Sequence, residues 1–367
     1  MKDALFDIVV VGGGIAGAAA AANLAPHASV LVLERESQPG YHATGRSAAL
    51  FSEIYGNASI RALSRASRPF LFNPPAGFAG ASLVSPRGAL YVATVGQLSA
   101  LDTFASLPDV AAGTRRVDAV EARALSPSLR DDYVAAAVYE PDAQDVDVHA
   151  LHQGYLRWLR DRGGRLVNNA GVTSIERKDD AWIVGTDAGV FRGRILINAA
   201  GAWADEIAGL AGAAPITIRP LRRTAFMVDA PAGSDSDRWP MTIDIDEQFY
   251  FKPDAGRLLL SPADETPSAP CDALPEEMDI AIAVDHIEHA TTLSITHVRQ
   301  KWAGLRSFVA DRSPVIGYDP RLADFFWIAA LGGYGIQTAP AVGRLAAALV
   351  QRHPVPADLL EPVSYTH

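Results

Sequence analysis

The sequence predicts an α/β protein of two interleaved units: a parallel-sheet unit that opens the chain, and an α+β unit on an antiparallel sheet that interrupts it. Three observations carry this. The first fifty residues read strand, glycine turn, helix, strand; the alternation of strand and helix stops near residue 86 and returns near 145; and between 213 and 301 short runs separated by Pro/Gly turns replace it. The boundaries that follow are 1–85, 145–212 and 302–367 for the first unit, and 86–144 and 213–301 for the second.

The opening stretch is the most informative. Residues 8–11 (IVVV) read as a buried parallel strand, 12–17 (GGGIAG) as a tight turn and 18–25 as the helix that follows. A second strand, 30–33, ends in Glu34 and Arg35, about twenty residues beyond the glycines, where a dinucleotide fold places a carboxylate against a ribose hydroxyl. Gly12 permits the sharp turn, Gly14 opens the backbone around Ile15 and Ala16 to a pyrophosphate at the helix N-terminus, and Gly17 lets the helix lie close to the strand. A carboxylate at 34 repels a 2′-phosphate, so the ribose is unphosphorylated. A signal peptide fits poorly: Lys2 is flanked by Asp3 and Asp7, and three consecutive glycines weaken an apolar helix.

The chain has 367 residues and a formal net charge of -10, which disfavours nucleic-acid partners and leaves length for two units. Cys271 is the single cysteine, so no intrachain disulfide and no Cys/His zinc set can form. It falls in a Pro/Ala/Asp-rich loop, 266–275, where nothing activates a thiol, and reads as incidental. No segment reads as membrane-spanning. The expected location is cytoplasmic, at most peripheral to the inner membrane.

Further along, residues 40–49 (GYHATGRSAA) form a loop of small residues, 59–72 an amphipathic helix, 82–85 and 89–94 a strand pair, and 96–107 a helix. A helix at 148–162 restores the first rhythm. It precedes strands at 165–168, 172–177, 181–186 and 194–197, the last running into NAAGAW at 198–203. Strands at 216–228, 241–245, 248–252 and 258–261 read as antiparallel. Residues 275–291 are helical; their Asp285, His286, Glu288 and His289 read as a solvated face, so no metal is expected. The chain closes with strands at 302–308, 314–318 and 325–329, and a helix at 339–350 with Pro340 near its start. The N-terminus of that helix suits negative charge on a bound cofactor.

Taken together, the opening fingerprint, GYHATGRSAA, NAAGAW, and WAGLRSF (302–308) with GGYGIQT (332–338) resemble the D-amino acid oxidase family of flavoproteins, and most closely its bacterial D-arginine dehydrogenase branch. The resemblance implies non-covalent FAD and oxidation of the Cα–N bond of a D-amino acid by hydride transfer to flavin N5, the imine then hydrolysing to a 2-oxo acid and ammonia. It places Gly12, Gly14, Ile15, Ala16, Gly17, Glu34 and Arg35 on the ADP half, and Val172 at the adenine. Thr44, Gly45, Arg46, Ser47 and Ala48, with Ala200, Gly201 and Trp203, come near the ring system, as do Gly304, Arg306, Gly332, Gly333, Tyr334, Gly335, Ile336 and Gln337.

By the same resemblance Arg306 pairs with the substrate carboxylate, Tyr250 donates to it, and Arg223 is a second basic contact, with Arg222 the alternative inward arginine. Gly333 offers a carbonyl to the amine, Tyr55 forms a lid, and Leu50, Ser52, Ala89, Met241, Ile243 and Gln337 wall the pocket. No side-chain base is required if the amine binds deprotonated. Two departures matter: Ala89 stands where the arginine-specific branch has an acid, and Leu50 where it has a histidine. Neutral or apolar side chains are therefore expected, unless Glu53 or Glu247 supplies the missing carboxylate. The electron acceptor, oxygen, a quinone or another, stays open. So do three other classes: a flavin 2-hydroxy acid dehydrogenase, a nicotinamide enzyme and a non-catalytic flavin-binding protein.

Overall fold

The structure, a computed structural model, describes residues 4–363; Lys2 and Asp3 of the opening segment lie outside them. The apolar run at the start forms the strand Leu5–Val11, whose last four residues are buried. It is the centre of an eight-stranded sheet. Val30–Leu33 and then Arg165–Val167 add in parallel on one side, Gly189–Asn198 in parallel on the other. Phe325–Ala329 extends the parallel set beyond Asn198, while Val172–Lys178 and Ala181–Thr186 continue the sheet antiparallel. The helix Ile15–Leu24 packs on this sheet beside Gly335–Val350 and Val148–Asp161. Val10, Val32 and Ile197 meet Ala20, Leu24, Val342 and Leu345 in one core.

Two helix starts differ from the sequence reading. The first helix begins at Ile15, so Gly17 lies inside it: a Cβ there would stand 2.0 Å from the Gly12 carbonyl oxygen, and the close approach of helix to turn requires glycine. The last helix begins at Gly335, four residues before the expected start, so Pro340 sits in its first two turns and not at its N1 position.

A nine-stranded sheet forms the second layer. Arg219–Asp229 pairs antiparallel with Gln300–Phe308 from Arg219 to Met227, and with Arg257–Ser261, which leads to Tyr250–Asp254 and Met241–Asp244. The last of these pairs in parallel with Ala89–Ala93, an exception to the expected antiparallel order. The expected pairing of 82–85 with 89–94 does not occur. Val84–Pro86 joins Gln144–Val146 and Leu50–Phe51 in a separate three-stranded sheet, while Ala89–Ala93 pairs with Ala136–Glu140. Gln300–Phe308 runs through residue 302, where the sequence reading begins the last segment of the first unit, so that boundary falls inside a strand of the second sheet.

Strand alternation gives this sheet two different faces. Leu90, Val92, Phe226, Val228, Phe251 and Leu260 pack against Ile280, Ala283 and Ile287 of the helix Glu277–Ala290. Tyr91, Ala225, Met241, Ile243 and Tyr250 point the other way, toward the carboxyl ends of the parallel strands.

Candidate active site

One cavity of about 650 Å³ runs from the carboxyl ends of the parallel strands to the inner face of the nine-stranded sheet. Val11, Leu33, Ala199 and Ala329 close one end, the position at which open α/β sheets bind ligands. Gly12, with φ +109, makes the turn; a Cβ there would lie 2.4 Å from the Ala199 carbonyl oxygen. Gly14 is the N-cap residue of the first helix and supplies no side-chain cap, and that helix has no acid in its first turn. The Ile15 N–H donates to Thr44 Oγ1 at 3.0 Å, which fixes the 40–49 loop over the turn.

Glu34 is buried on the cavity wall. Its Oε2 accepts the Gly13 N–H and its Oε1 the Glu36 N–H, both at 2.9 Å, so the carboxylate is held in place with lone pairs left for a ribose. His152, which sequence reading missed, places Nε2 2.8 Å from the Gly13 carbonyl oxygen. Burial lowers its pKa, so a neutral ring donating from Nε2 supports the turn from below. Arg35 lies 4.6 Å from the Trp203 ring centroid, and Val172, Ala200 and Gly201 complete this end.

Along the middle, Arg46 ties two loops together. Its Nη1 donates to the Ala273 and Ala303 carbonyl oxygens at 2.9 and 2.8 Å, and its Nη2 pairs with Asp272. Ser47, Ala48 and Gly304 line the cavity beside it, whereas Gly45 does not: its N–H closes the loop onto the Gly40 carbonyl. The loop anchored by Arg46 brings Cys271 to the cavity wall. The sequence reading of this cysteine as incidental gave no sign of that position, because a side-chain-to-backbone tie between residues 46 and 273 is invisible in sequence order.

At the far end stands Arg306, 9% exposed. Its Nη2 donates to the Tyr55 hydroxyl at 2.9 Å, while Nη1 is buried without a hydrogen bond, 3.6 Å from Glu265 Oε1. Gly332 has φ +55 and donates its N–H to the Ser307 carbonyl, which holds Gly333 beside the guanidinium. Tyr55 meets Tyr334 edge-on at 5.0 Å. Arg223 faces the cavity, its Nε donating to the Asp264 carbonyl at 2.7 Å; Arg222, one residue earlier and on the opposite face, pairs with Glu276 and Asp279. Strand period thus selects Arg223.

Glu265 was not anticipated. It lies among Arg223, Arg306 and Arg312, and although burial works to raise its carboxyl, the Arg312 hydrogen bonds and the neighbouring guanidinium charges hold it below the usual value. Tyr250, Leu50, Met241 and Ile243 line this end as expected, joined by Tyr91 and Glu247.

Besides Gly17, inside the first helix, and Gly45, three expected positions lie off the wall. Ala89 is fully buried in the sheet, and Tyr91, two residues on and on the same face, takes the wall position. Ser52 turns away to Glu140, and Tyr334 caps the last helix with its ring packed on Tyr55 and Phe308. Gln337 does reach the cavity, but its amide is engaged by the Ser52 N–H and Ser64 Oγ.

A family model described as FAD dependent oxidoreductase, DAO, matches residues 7–349. The chain belongs to the DAO family.

FAD is therefore its cofactor, and the residues present fit it. The held carboxylate of Glu34, the small residues Ala43, Thr44, Ser47, Ala48 and Ala49, and two helix N-termini without acids in their first turns, at Gly14 and at Gly335, line one continuous cavity. Among the relatives of this DAO-family chain, the glycine oxidase of Geobacillus kaustophilus is 24% identical over 376 residues, covering 98% of this chain and 97% of that protein. The mitochondrial dimethylglycine dehydrogenase of Mus musculus is 25% identical over 65% of this chain, which spans only 29% of that longer protein. The solved structure of L-proline dehydrogenase from P. horikoshii superposes with a TM-score of 0.83 at 21% identity, covering 98% of each chain. The comparisons support the DAO family and not the D-arginine dehydrogenase branch in particular. Among the described residues, no helix of the DAO-family chain is long and apolar enough to cross a membrane.

Proposed function

We propose that this protein oxidises the Cα–N bond of an α-amino carboxylate, with neutral or apolar D-amino acids as substrates, and releases the 2-oxo acid and ammonia after hydrolysis of the imine. The observation that carries the reading is Arg306: a buried guanidinium on the cavity wall, steadied by Tyr55, with Nη1 lacking any hydrogen-bond partner. A planar cation with an unmet donor in a low-dielectric site is matched by a carboxylate. FAD, when bound, supplies the two-electron acceptor.

The chain's own residues supply binding and orientation. Arg306 takes the substrate carboxylate and Tyr55 keeps the guanidinium from turning. Tyr250, whose hydroxyl makes no hydrogen bond among the described residues, donates to the same carboxylate, and the Gly333 carbonyl accepts from the amine. Met241, Ile243 and Leu50 exclude water from the side-chain end and favour apolar groups. That two curated relatives are named for glycine and dimethylglycine, both α-amino carboxylates, supports the class.

A second reading of the side-chain pocket follows from Glu247. It lines the cavity, sits in a left-handed turn conformation with φ +52, and its carboxylate forms no ion pair among the described residues, an arrangement suited to a cationic group. A panel of D- and L-amino acids on the wild type and on Glu247→Gln, scored for ammonia and 2-oxo acid, tests both. D-Leucine ranking above D-arginine supports the first reading. D-Arginine ranking first, with the preference lost in Glu247→Gln, supports the second; turnover of 2-hydroxy acids without ammonia overturns both.

A further inference from the structure

Glu140 ends the strand Ala136–Glu140 on the cavity side of the nine-stranded sheet, opposite Ala89, and is 3% exposed. Both its oxygens are taken by one short segment: Oε2 accepts from Ser52 Oγ at 2.7 Å, and Oε1 accepts the Glu53 N–H at 3.0 Å. Three residues along that segment from Ser52 is Tyr55, whose hydroxyl accepts from Arg306. No lysine or arginine pairs with Glu140 among the described residues. An ionised carboxylate buried without a cation is costly, and an apolar side chain would fill the space more favourably unless the two hydrogen bonds serve a purpose.

We propose that Glu140 is a positioning residue for substrate capture: its ionised carboxylate clamps the 52–56 segment and so holds Tyr55 against Arg306. The inference rests on Arg306 and Tyr55 being the carboxylate site. Both partners of Glu140 are donors, so the charged form grips them. Protonation turns Oε2 into a donor and forces the Ser52 hydroxyl to rotate, leaving only the Glu53 N–H bond unchanged.

The groups around Glu140 set where this happens. Burial pushes its carboxyl up to about 7, against the hydrogen bonds from Ser52 and Glu53, and the charges of Glu53 and Asp142 add to the rise. Arg68, from the helix Ala58–Phe72, lies 3.6 Å from Glu53 and 3.7 Å from Asp142 and partly offsets them. Tyr91, from the strand Ala89–Ala93, is buried beside Ser52 and Glu140, and burial raises its own pKa far out of the range. Burial also raises the Glu53 carboxyl, against the charges of Arg68 and Arg65. Glu140, the more deeply buried of the two, is the carboxyl pushed to about 7 and the one that bonds Ser52, so capture of a carboxylate should tighten as pH rises through about 7.

The test measures dissociation of benzoate, a carboxylate without an amine, from the FAD-loaded protein by the change in flavin absorbance between about pH 6 and 8. Wild type should bind several-fold more tightly at the upper end. Glu140→Gln, which keeps an acceptor for Glu53 but offers Ser52 only a donor, should show the low-pH affinity throughout. An unchanged pH step in Glu140→Gln overturns the inference. Should that variant fail to retain FAD, Ser52→Ala decides: losing a donor that favours the charged form should move the step to higher pH, and an unmoved step overturns the inference. Arg306→Met is the control. If it binds benzoate as wild type does, the carboxylate site lies elsewhere and the functional reading fails; if it does not, a failure in Glu140→Gln belongs to the clamp alone.

Discussion

Arg306 occupies the space that a side chain at Gly333 would need: a Cβ on Gly333 would lie 1.9 Å from Arg306 Nη2 and 2.2 Å from Cζ. The glycine is therefore a condition for the guanidinium's position. Gly333→Ala is expected to displace Arg306 and raise KM for the amino acid by about tenfold or more, since each 1.4 kcal/mol of lost binding is tenfold. Equal KM values for wild type and variant would show that the guanidinium has room to spare.

Arg306→Met removes the clamp and none of the backbone that lines the cofactor end. It should cost about 3–5 kcal/mol of substrate binding, the range for removing one partner of a buried charge pair. The flavin content of the purified variant should match the wild type. Steady-state kinetics with a flavin absorbance ratio checks both halves, and near-normal turnover would move the carboxylate site elsewhere.

FAD is expected to be held without a covalent bond. Cys271 stands on the cavity wall, which makes the measurement decisive. Acid precipitation should leave a colourless pellet and free FAD in the supernatant, for wild type and Cys271→Ser alike. A yellow wild-type pellet that turns colourless in Cys271→Ser would instead identify a thioether.

Ala89→Glu is expected to fail as a route to D-arginine activity. Ala89 is fully buried and registers against Glu140, so a carboxylate there meets a second buried carboxyl and reaches no substrate. The variant should lose about 3 kcal/mol of stability or more, and D-arginine should gain nothing relative to D-leucine. A rise in D-arginine turnover would place residue 89 on the pocket wall after all.

Glu140 also predicts a pH-dependent stability. Its folded pKa, about 7, lies above its ordinary 4.5, so the folded state binds the proton more tightly. Stability from this group is full below about pH 4.5 and is lost as pH rises through 7, up to about 3 kcal/mol in all. Glu140→Gln should therefore be the more stable protein at pH 8, with the difference shrinking toward pH 5 in denaturant titrations. A constant difference across that range would mean the carboxyl titrates normally.

Much of the cofactor end was legible in the sequence because its logic is local. A buried strand, a turn that only glycine can make, a helix and an acid at the next strand's end lie within thirty residues, and the structure brings Gly12, Gly14, Gly17 and Glu34 together in that order. Strand period likewise separated Arg223 from Arg222 once their sheet was known. What only the tertiary structure decided depends on contacts between distant segments. Ala89 and Tyr91 share a face, so alternation cannot say which of them reaches the cavity; the assembled sheet puts Tyr91 on the wall and leaves Ala89 buried. Cys271 is drawn to the wall by Arg46, Glu265 meets three arginines from different strands and loops, and Glu140 grips a segment eighty-seven residues before it. Such pairings leave no periodic trace along the chain, because a side-chain hydrogen bond constrains two residues in space and nothing in between.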